Sequence, residues 1–266
     1  MKSVVITGTS GFLGAATLNR FSKLVKTETL STKNRHGLIS NSLESREVDT
    51  VVNFGWGGGN NNKDLNSSSQ VENIKTCIEL YSAAKRKGLK KFIQISSSWR
   101  YPRFGINNYG TSKRVADEIL LSMGKEDGIE VSIAVPWWIY GPGDRSNRFV
   151  PSTIDKMLSG ETIITHPSEN KVDYLYIDDF VSAIEHIVKN EAGIYDVCSS
   201  TGISMGFLMG TIAKETGSVS RVLLTDTYPN GFNMEWVGDN KKLKDIGWKD
   251  NTCIEEGIRR TVKSRN

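Results

Sequence analysis

The sequence predicts an α/β chain: a doubly wound parallel sheet with a small C-terminal α/β lobe. Three observations predict it. Short apolar, β-branched runs alternate with helix-length amphipathic segments through the first half, the pattern of strands covered by helices on both faces. The first such run, Val4-Val-Ile6, stops at Gly8, and Gly8, Gly11 and Gly14 sit three apart across the junction with a helical pattern that starts near Phe12. Beyond Gly141 the alternation becomes less regular, as expected of a smaller unit packed on the first. The division expected is residues 1–140 and 141–266, the second part partly interleaved with the first.

The glycine turn is the first element with a chemical reading. Strand, glycine turn and helix N-terminus together let backbone N–H groups approach a pyrophosphate, with the positive end of the helix dipole facing it. Gly8, Ser10, Gly11, Phe12, Leu13 and Gly14 are the candidate contacts, Gly14 also letting the helix pack close on the strand. A tight turn into a helix needs glycine for its own sake, so the triplet gains weight only in combination with motifs elsewhere in the chain.

After the first helix, Thr27–Ser31 reads as a second strand and Val48–Phe54 as a third, buried on both faces. Gly57–Asn62 is a loop rich in residues that tolerate positive φ. Ser69 to Lys87 has helical periodicity and ends at Gly88, a C-terminal cap. Lys91–Ser96 is a fourth strand, Asn107 to Met123 a helix, and Ile129–Val135 a fifth strand ended by Pro136. In the second half, helices are expected over 151–159, 178–189, 204–215 and 253–262, with strands over 173–177 and 193–197. A cleft is expected at the carboxyl ends of the strands.

Composition narrows the classes. Of 266 residues, 38% are hydrophobic and 24% charged, enough for one large domain or a large one with a small lobe. The net charge is +4 with no dense basic block, which suits a small anionic ligand and gives no case for nucleic acid. No apolar run reaches membrane-span length. The first strand starts almost at Met1, so a chain without a signal peptide, in the cytoplasm, is expected. Cys77, Cys198 and Cys253, and His36, His166 and His186, have neither disulfide nor metal-ligand spacing, and no metal is expected.

Tyr109 and Lys113 lie four apart on a predicted helix and share a face. Ser96-Ser-Ser98 ends the preceding strand, where a parallel sheet presents its chemistry. A phenol has a pKa near 10. A nearby ammonium favours the phenolate and draws that pKa towards the working range, while a serine hydroxyl can hold a carbonyl or alkoxide oxygen. Each piece alone also fits an ordinary helix surface pair or a strand end.

Taken in order, Thr7-Gly-Thr-Ser-Gly-Phe-Leu-Gly14, Ile95-Ser-Ser-Ser98 and Tyr109-Gly-Thr-Ser-Lys113 resemble the extended short-chain dehydrogenase/reductase family, and within it the nucleotide-sugar epimerases, dehydratases and 4-ketoreductases. Asn73, Ile139-Tyr-Gly-Pro-Gly-Asp144, Asp173-Tyr-Leu-Tyr-Ile-Asp-Asp179, Gly247-Trp248 and Ile254-Glu-Glu-Gly-Ile258 extend the resemblance along essentially the whole chain. It implies the Rossmann version of the predicted sheet, and Ser97, Tyr109 and Lys113 as the catalytic set. Ser97 is the matching serine because Tyr101 stands four residues on, with Ser96 and Ser98 as fallbacks. Lys113 would also hold the nicotinamide ribose, and Pro136, Phe54 and Gly55 would line the cofactor. A homodimer through the helices at 73–87 and 107–123 is implied by the resemblance alone.

Departures from the family pattern shape the remaining expectations. The second strand is followed by Ser31-Thr32-Lys33-Asn34-Arg35, without the carboxylate that marks NAD, and its cations suit a 2′-phosphate. NADP is therefore the expected cofactor, NAD the alternative, and a solvated polar loop the bland reading. The family's "HLAA"-like stretch is Phe54-Gly55-Trp56-Gly57. The segment from Ser97 to Tyr109 is short, and the family's two arginines are Val135 and Val172. Candidate substrate contacts are Ser98, Trp99, Trp138, Asn147, Arg148, Phe149, Lys171 and Arg221, aromatics for a base or sugar face and cations for a diphosphate. Trp137 reads equally as core. The function expected is NADP(H)-dependent reduction of a nucleotide-diphosphate keto-sugar of the 4-keto-6-deoxy type. The alternatives are a 4-epimerase with tightly held cofactor and a non-catalytic dinucleotide-sensing protein.

Overall fold

The structure, a computed structural model, describes residues 3–31, 47–57, 69–165, 170–224 and 235–265. Its main sheet has six strands: β1 (Ser3–Thr7), β2 (Lys26–Leu30), β3 (Thr50–Asn53), β4 (Lys91–Ile95), β5 (Glu130–Pro136) and a late strand, Ile194–Val197. The order is β2-β1-β3-β4-β5-(194–197), every neighbouring pair parallel. The chain leaves β1 towards β2 on one side and reaches β3 on the other. The crevice at their carboxyl ends is a topological switch point, where such sheets bind ligands.

Two-residue periodicity divides the core. Val4, Ile6, Val52 and Ile93 face one side, against Phe21 of α1 (Phe12–Phe21) and Phe180, Ile184 and Ile187 of a long helix in the second half. Val5, Val51 and Phe92 face the other, against Cys77, Leu80, Tyr81 and Ala84 of α2 (Gln70–Lys85) and Leu120 of α3 (Asn108–Asp127). Successive strand residues thus feed separate cores on the two faces, which is what doubly wound means physically.

α3 runs a turn beyond the expected Met123. Gly124 lies within it, where the missing Cβ lets the helix lean on Val131 of β5, and the terminus is Gly128, left-handed at φ 67°. The helix starts as expected, with the Asn107 side chain accepting the Gly110 N–H at 2.8 Å.

The second half contains β6 (Trp138–Tyr140), α4 (Phe149–Leu158), β7 (Ile163–Thr165), β8 (Lys171–Tyr176), α5 (Ile177–Lys189), β9 (Ile194–Val197), β10 (Gly202–Ser204), α6 (Met205–Thr216), β11 (Val222–Leu224), α7 (Lys241–Asp245) and α8 (Ile254–Lys263). β10, β8 and β6 form a three-stranded sheet and β11 pairs with β7. β6, β7, β10, β11 and α7 are absent from the sequence reading because segments of three to five residues are too short to show a period. β9 crosses back to complete the main sheet on β5, and one apolar cluster runs from Val4 through Phe180 to Trp248 and Ile258. No helix among the described residues is long and apolar enough to cross a membrane.

The glycine turn depends on close backbone approach. Gly8 has φ +65°, and a Cβ there would lie 2.6 Å from the Phe54 carbonyl carbon at the end of β3. A Cβ at Gly14 would run into the Gly8 carbonyl oxygen. Gly14→Ala is therefore expected to cost about 1–3 kcal/mol, as overpacking against backbone does. Urea denaturation checks this; an unchanged midpoint would mean that α1 moves aside freely.

Candidate active site

The site is assembled at the carboxyl ends of β1, β3 and β4. Gly11 caps α1 in extended backbone, makes no side-chain cap bond, and is followed by a first turn without an acidic residue. Gly11 thus has no side chain to answer the first N–H groups of α1, and the glycine cradle is too tight for any Cβ at Gly8 or Gly14. These residues fit a dinucleotide pyrophosphate. Ser10 is exposed, and Phe12 and Leu13 are half-buried on the first turn. Thr32, Lys33, Asn34 and Arg35, on which the expected cofactor preference depends, lie outside the described residues. A groove of about 880 Å³ meets this turn at Ser10–Phe12 and runs along α1 to Arg20 and Arg260, so it shares only an edge with the site.

A buried polar chain supports the crevice. Thr7 Oγ1 donates to Asn53 Oδ1 at 2.5 Å, and both accept the Gly55 N–H, at 3.0 and 3.1 Å. Asn53 Nδ2 donates to Gln94 Oε1 at 2.8 Å, and Gln94 Nε2 reaches the Ile95 carbonyl at 3.4 Å. Phe54, half-buried, packs edge-on to Phe180, and Pro136 is buried at the end of β5.

The catalytic candidates meet here. Lys113 is buried and donates to the Ile95 carbonyl at 2.8 Å. Tyr109, half-buried in the first turn of α3, has the Ser97 hydroxyl beside its phenol, where it lowers the phenol pKa. Ser97 caps a short 3-10 turn, Ser98–Arg100, by accepting the Trp99 N–H at 3.3 Å. Beneath that turn, Ser96 Oγ donates to Asp117 Oδ2 at 2.5 Å, and Arg100 pairs with the same carboxylate at 2.8 Å. This buried clamp ties the serine run to α3 and so fixes Ser97 against Tyr109. Burial pushes the Asp117 carboxyl up to about 6, opposed by Ser96, Arg100 and Lys113.

The electrostatics differ from the expectation in one respect. The phenol of Tyr109 is held above its ordinary pKa, because burial outweighs the Ser97 hydrogen bond and the Arg148 charge, both of which favour phenolate. Lys113 does not set it: its ammonium lies 5.9 Å from the Tyr109 ring centre and points to Ile95 O and to Trp56. Burial also pushes Lys113 down to about 8, against the attraction of Asp117.

The substrate candidates lie in two groups. Trp99 and Trp138 are half-buried and meet around Trp236, at 5.3 and 5.8 Å between ring centres, with Tyr174 behind Trp138 at 6.3 Å. Trp236 escaped the sequence reading; a bridge to Val172 brings it there from a segment without periodicity. Trp137 is buried core, packed on Cys198. Ser98 is buried inside the turn. Arg148 lies over the Phe12 ring at 5.6 Å and pairs with Asp144 at 2.7 Å, which places it between the glycine turn and Tyr109. Asn147 is exposed and Phe149 half-buried beside it. Lys171 pairs with Glu235 at 3.0 Å on the surface, and Arg221 is exposed at the entry to β11. Among the described residues no group of three or more His, Cys, Asp or Glu could hold a metal.

A parallel, doubly wound sheet with an uncapped helix N-terminus at a glycine turn defines a dinucleotide-binding protein of the Rossmann type. The chain belongs to the NAD dependent epimerase/dehydratase family, whose model matches residues 4–198. A CDP-abequose synthase of Yersinia pseudotuberculosis is 27% identical over 73% of this chain and 75% of that protein. The trifunctional UDP-glucose 4,6-dehydratase/UDP-4-keto-6-deoxy-D-glucose 3,5-epimerase/UDP-4-keto-L-rhamnose-reductase RHM1 of Arabidopsis thaliana is 23% identical over 98% of this chain, which spans 46% of its length. Among solved structures, the UDP-glucose 4-epimerase of Thermotoga maritima with UDP-glucose has a TM-score of 0.86 at 17% identity, covering 99% of this chain and 98% of its own. The fold and family expectations are thus met.

The Ser96–Asp117–Arg100 clamp yields a prediction. Arg100→Met leaves Asp117 buried without its cation and is expected to lower stability by about 3–5 kcal/mol. Urea denaturation at neutral pH measures it; a loss below about 1 kcal/mol, the worth of a surface pair, would show that the pair is not holding the serine run.

Proposed function

We propose that the chain is an NADP(H)-dependent reductase of a nucleotide-diphosphate keto-sugar, of the 4-keto-6-deoxy type. The observation that carries the reading is the meeting of Ser97, Tyr109 and buried Lys113 beside the glycine cradle, at the carboxyl end of a parallel sheet. The reductase step in the printed name of the plant relative supports it.

When bound, the nicotinamide supplies the hydride that reaches the carbonyl carbon. Tyr109 gives its hydroxyl proton to the carbonyl oxygen. Ser97 donates its one hydroxyl proton to that oxygen, fixing it beside Tyr109. Arg148 and Lys113 supply positive charge around it, and Lys113 offers N–H donors to the ribose. The raised pKa keeps Tyr109 protonated before the step, the state a proton donor needs. Trp99 and Trp138 supply ring faces for the substrate, and Arg148 a cation for its diphosphate. The likeness to a 4-epimerase favours a second reading with the same three residues, in which Tyr109 starts as phenolate and takes a proton.

Two outcomes are expected. Tyr109→Phe keeps the ring and removes the proton, so turnover of a 4-keto-6-deoxyhexose nucleotide should fall about a hundredfold or more, with cofactor binding kept; near-normal turnover would make the constellation decorative. NADPH and NADH titrations of wild type, Lys33→Ala and Arg35→Ala test the cofactor. Losing one charged contact to the 2′-phosphate should weaken NADPH by about 1.5–3 kcal/mol and leave NADH little changed. Equal binding of both cofactors by wild type would overturn the NADP preference.

A further inference from the structure

Trp56 is the third residue of Phe54-Gly55-Trp56-Gly57, which stands for the family's "HLAA"-like stretch, and the proposed reduction gives it no part. Its ring lies against Lys113, with Nζ 4.0 Å from the ring centre. We infer that Trp56 is a positioning residue: its face holds the Lys113 ammonium charged and aimed in a buried site. The inference rests on the reading of Lys113 as the residue that supports Tyr109 and the cofactor ribose.

Lys113 lacks the usual supports of a buried charge. It is 3% exposed, so little of it meets solvent. Among the described residues it has no ion-pair partner: Asp117, one turn along α3, gives its carboxylate to Ser96 and Arg100. Cys77 faces it from α2 as a neutral thiol, pushed up to about 11 by burial. Tyr109 on its own helix is protonated. The groups in direct contact with the cation are the Ile95 carbonyl of β4 and the Trp56 ring, with the Asp117 charge acting from one turn along α3. Cation–π attraction is strongest for Trp and grows when the pair is desolvated.

A ring face also does what a carboxylate could not. It lowers the energy of the ammonium without cancelling its charge, so the field still reaches the phenolate and the substrate oxygen. An ammonium has three donors. The carbonyl takes one and the ring face covers another, which leaves one for an incoming hydroxyl. A carboxylate would compete for that donor.

The ring is held in place. Trp56 Nε1 donates to Gln70 Oε1 at 2.7 Å, and Gln70 Nε2 donates to the Gly57 carbonyl at 3.2 Å. Asn73 accepts the Gly57 N–H and donates back to the Gly57 carbonyl, both at 3.0 Å. The start of α2 thus locks the residue after Trp56 and the indole nitrogen together, fixing the plane that faces Lys113.

The test is the titration of Lys113 in the full-length protein without cofactor or substrate. Lysine labelled with ¹³C at Cε is followed by NMR against pH, and the Lys113 signal is identified by its loss in Lys113→Arg. Trp56→Leu should lower the Lys113 pKa by about one unit, a tenfold change in its ionisation constant. Trp56→Phe, with a weaker ring, should fall between Leu and wild type. The sign is fixed: a lower pKa means that Lys113 loses its charge at lower pH, so the alkaline limb of turnover moves down in the same order. A folded Trp56→Leu that titrates with wild type would overturn the inference. If that variant does not fold, an unshifted Trp56→Phe overturns it equally. A shifted titration with no keto-sugar reduced would leave this inference standing and remove the reductase reading; turnover with an unshifted titration would do the reverse.

Discussion

The Lys113 ammonium sits buried between the Ile95 carbonyl and the Trp56 ring, and the middle of the protein is arranged to keep it there. β4 brings the carbonyl and α3 brings the lysine. Gln94, next to Ile95, is locked to Asn53 and through it to Thr7, at the mouth of the glycine turn. Moving β4 relative to β1 would therefore disturb the cofactor cradle and the lysine together. Buried polar networks of this kind are costly when half made, which favours one geometry over near alternatives.

The same low-polarity surroundings set the protonation states. Burial holds Tyr109 protonated and draws Lys113 down to about 8, while Asp117 is pushed up to about 6. At neutral pH this leaves a neutral phenol beside a charged lysine and a charged carboxylate. Arg100, buried on Asp117, absorbs that negative charge below the site. Arg148, held by Asp144, adds positive charge from the second half of the chain. Positive charge thus reaches the site from two sides: α3 supplies Lys113, and the second half supplies Arg148, the charge that favours phenolate.

Much of this was legible in the sequence, for identifiable reasons. The glycine turn, the two-faced strands and the Tyr109–Lys113 pair follow from local spacing, and local spacing is what a sequence displays. Ser97 comes only from the resemblance; its place beside Tyr109 rests on Ser96 and Arg100 being held by Asp117, which lies on the next helix. The Tyr109 shift runs opposite to what the Tyr109–Lys113 spacing implies, because spacing displays charges and not desolvation. Trp56 was visible as a departure from pattern, but its contact with Lys113 needs β3, β4 and α3 in place. β9 was recognised as a strand, while its return to the first sheet is a tertiary fact. β6, β7, β10 and β11 were too short to signal at all.

The central claim is that Tyr109 and its neighbours serve net reduction. It is tested most directly by following the hydride. The protein would be incubated with NADPH carrying deuterium at the transferable position, together with CDP- and dTDP-linked 4-keto-6-deoxyhexoses, and both products analysed by mass spectrometry and NMR. The account predicts one oxidised cofactor per sugar converted, with deuterium fixed on the former carbonyl carbon. Isomerised sugar without deuterium, formed while the NADPH remains unconsumed, would contradict it.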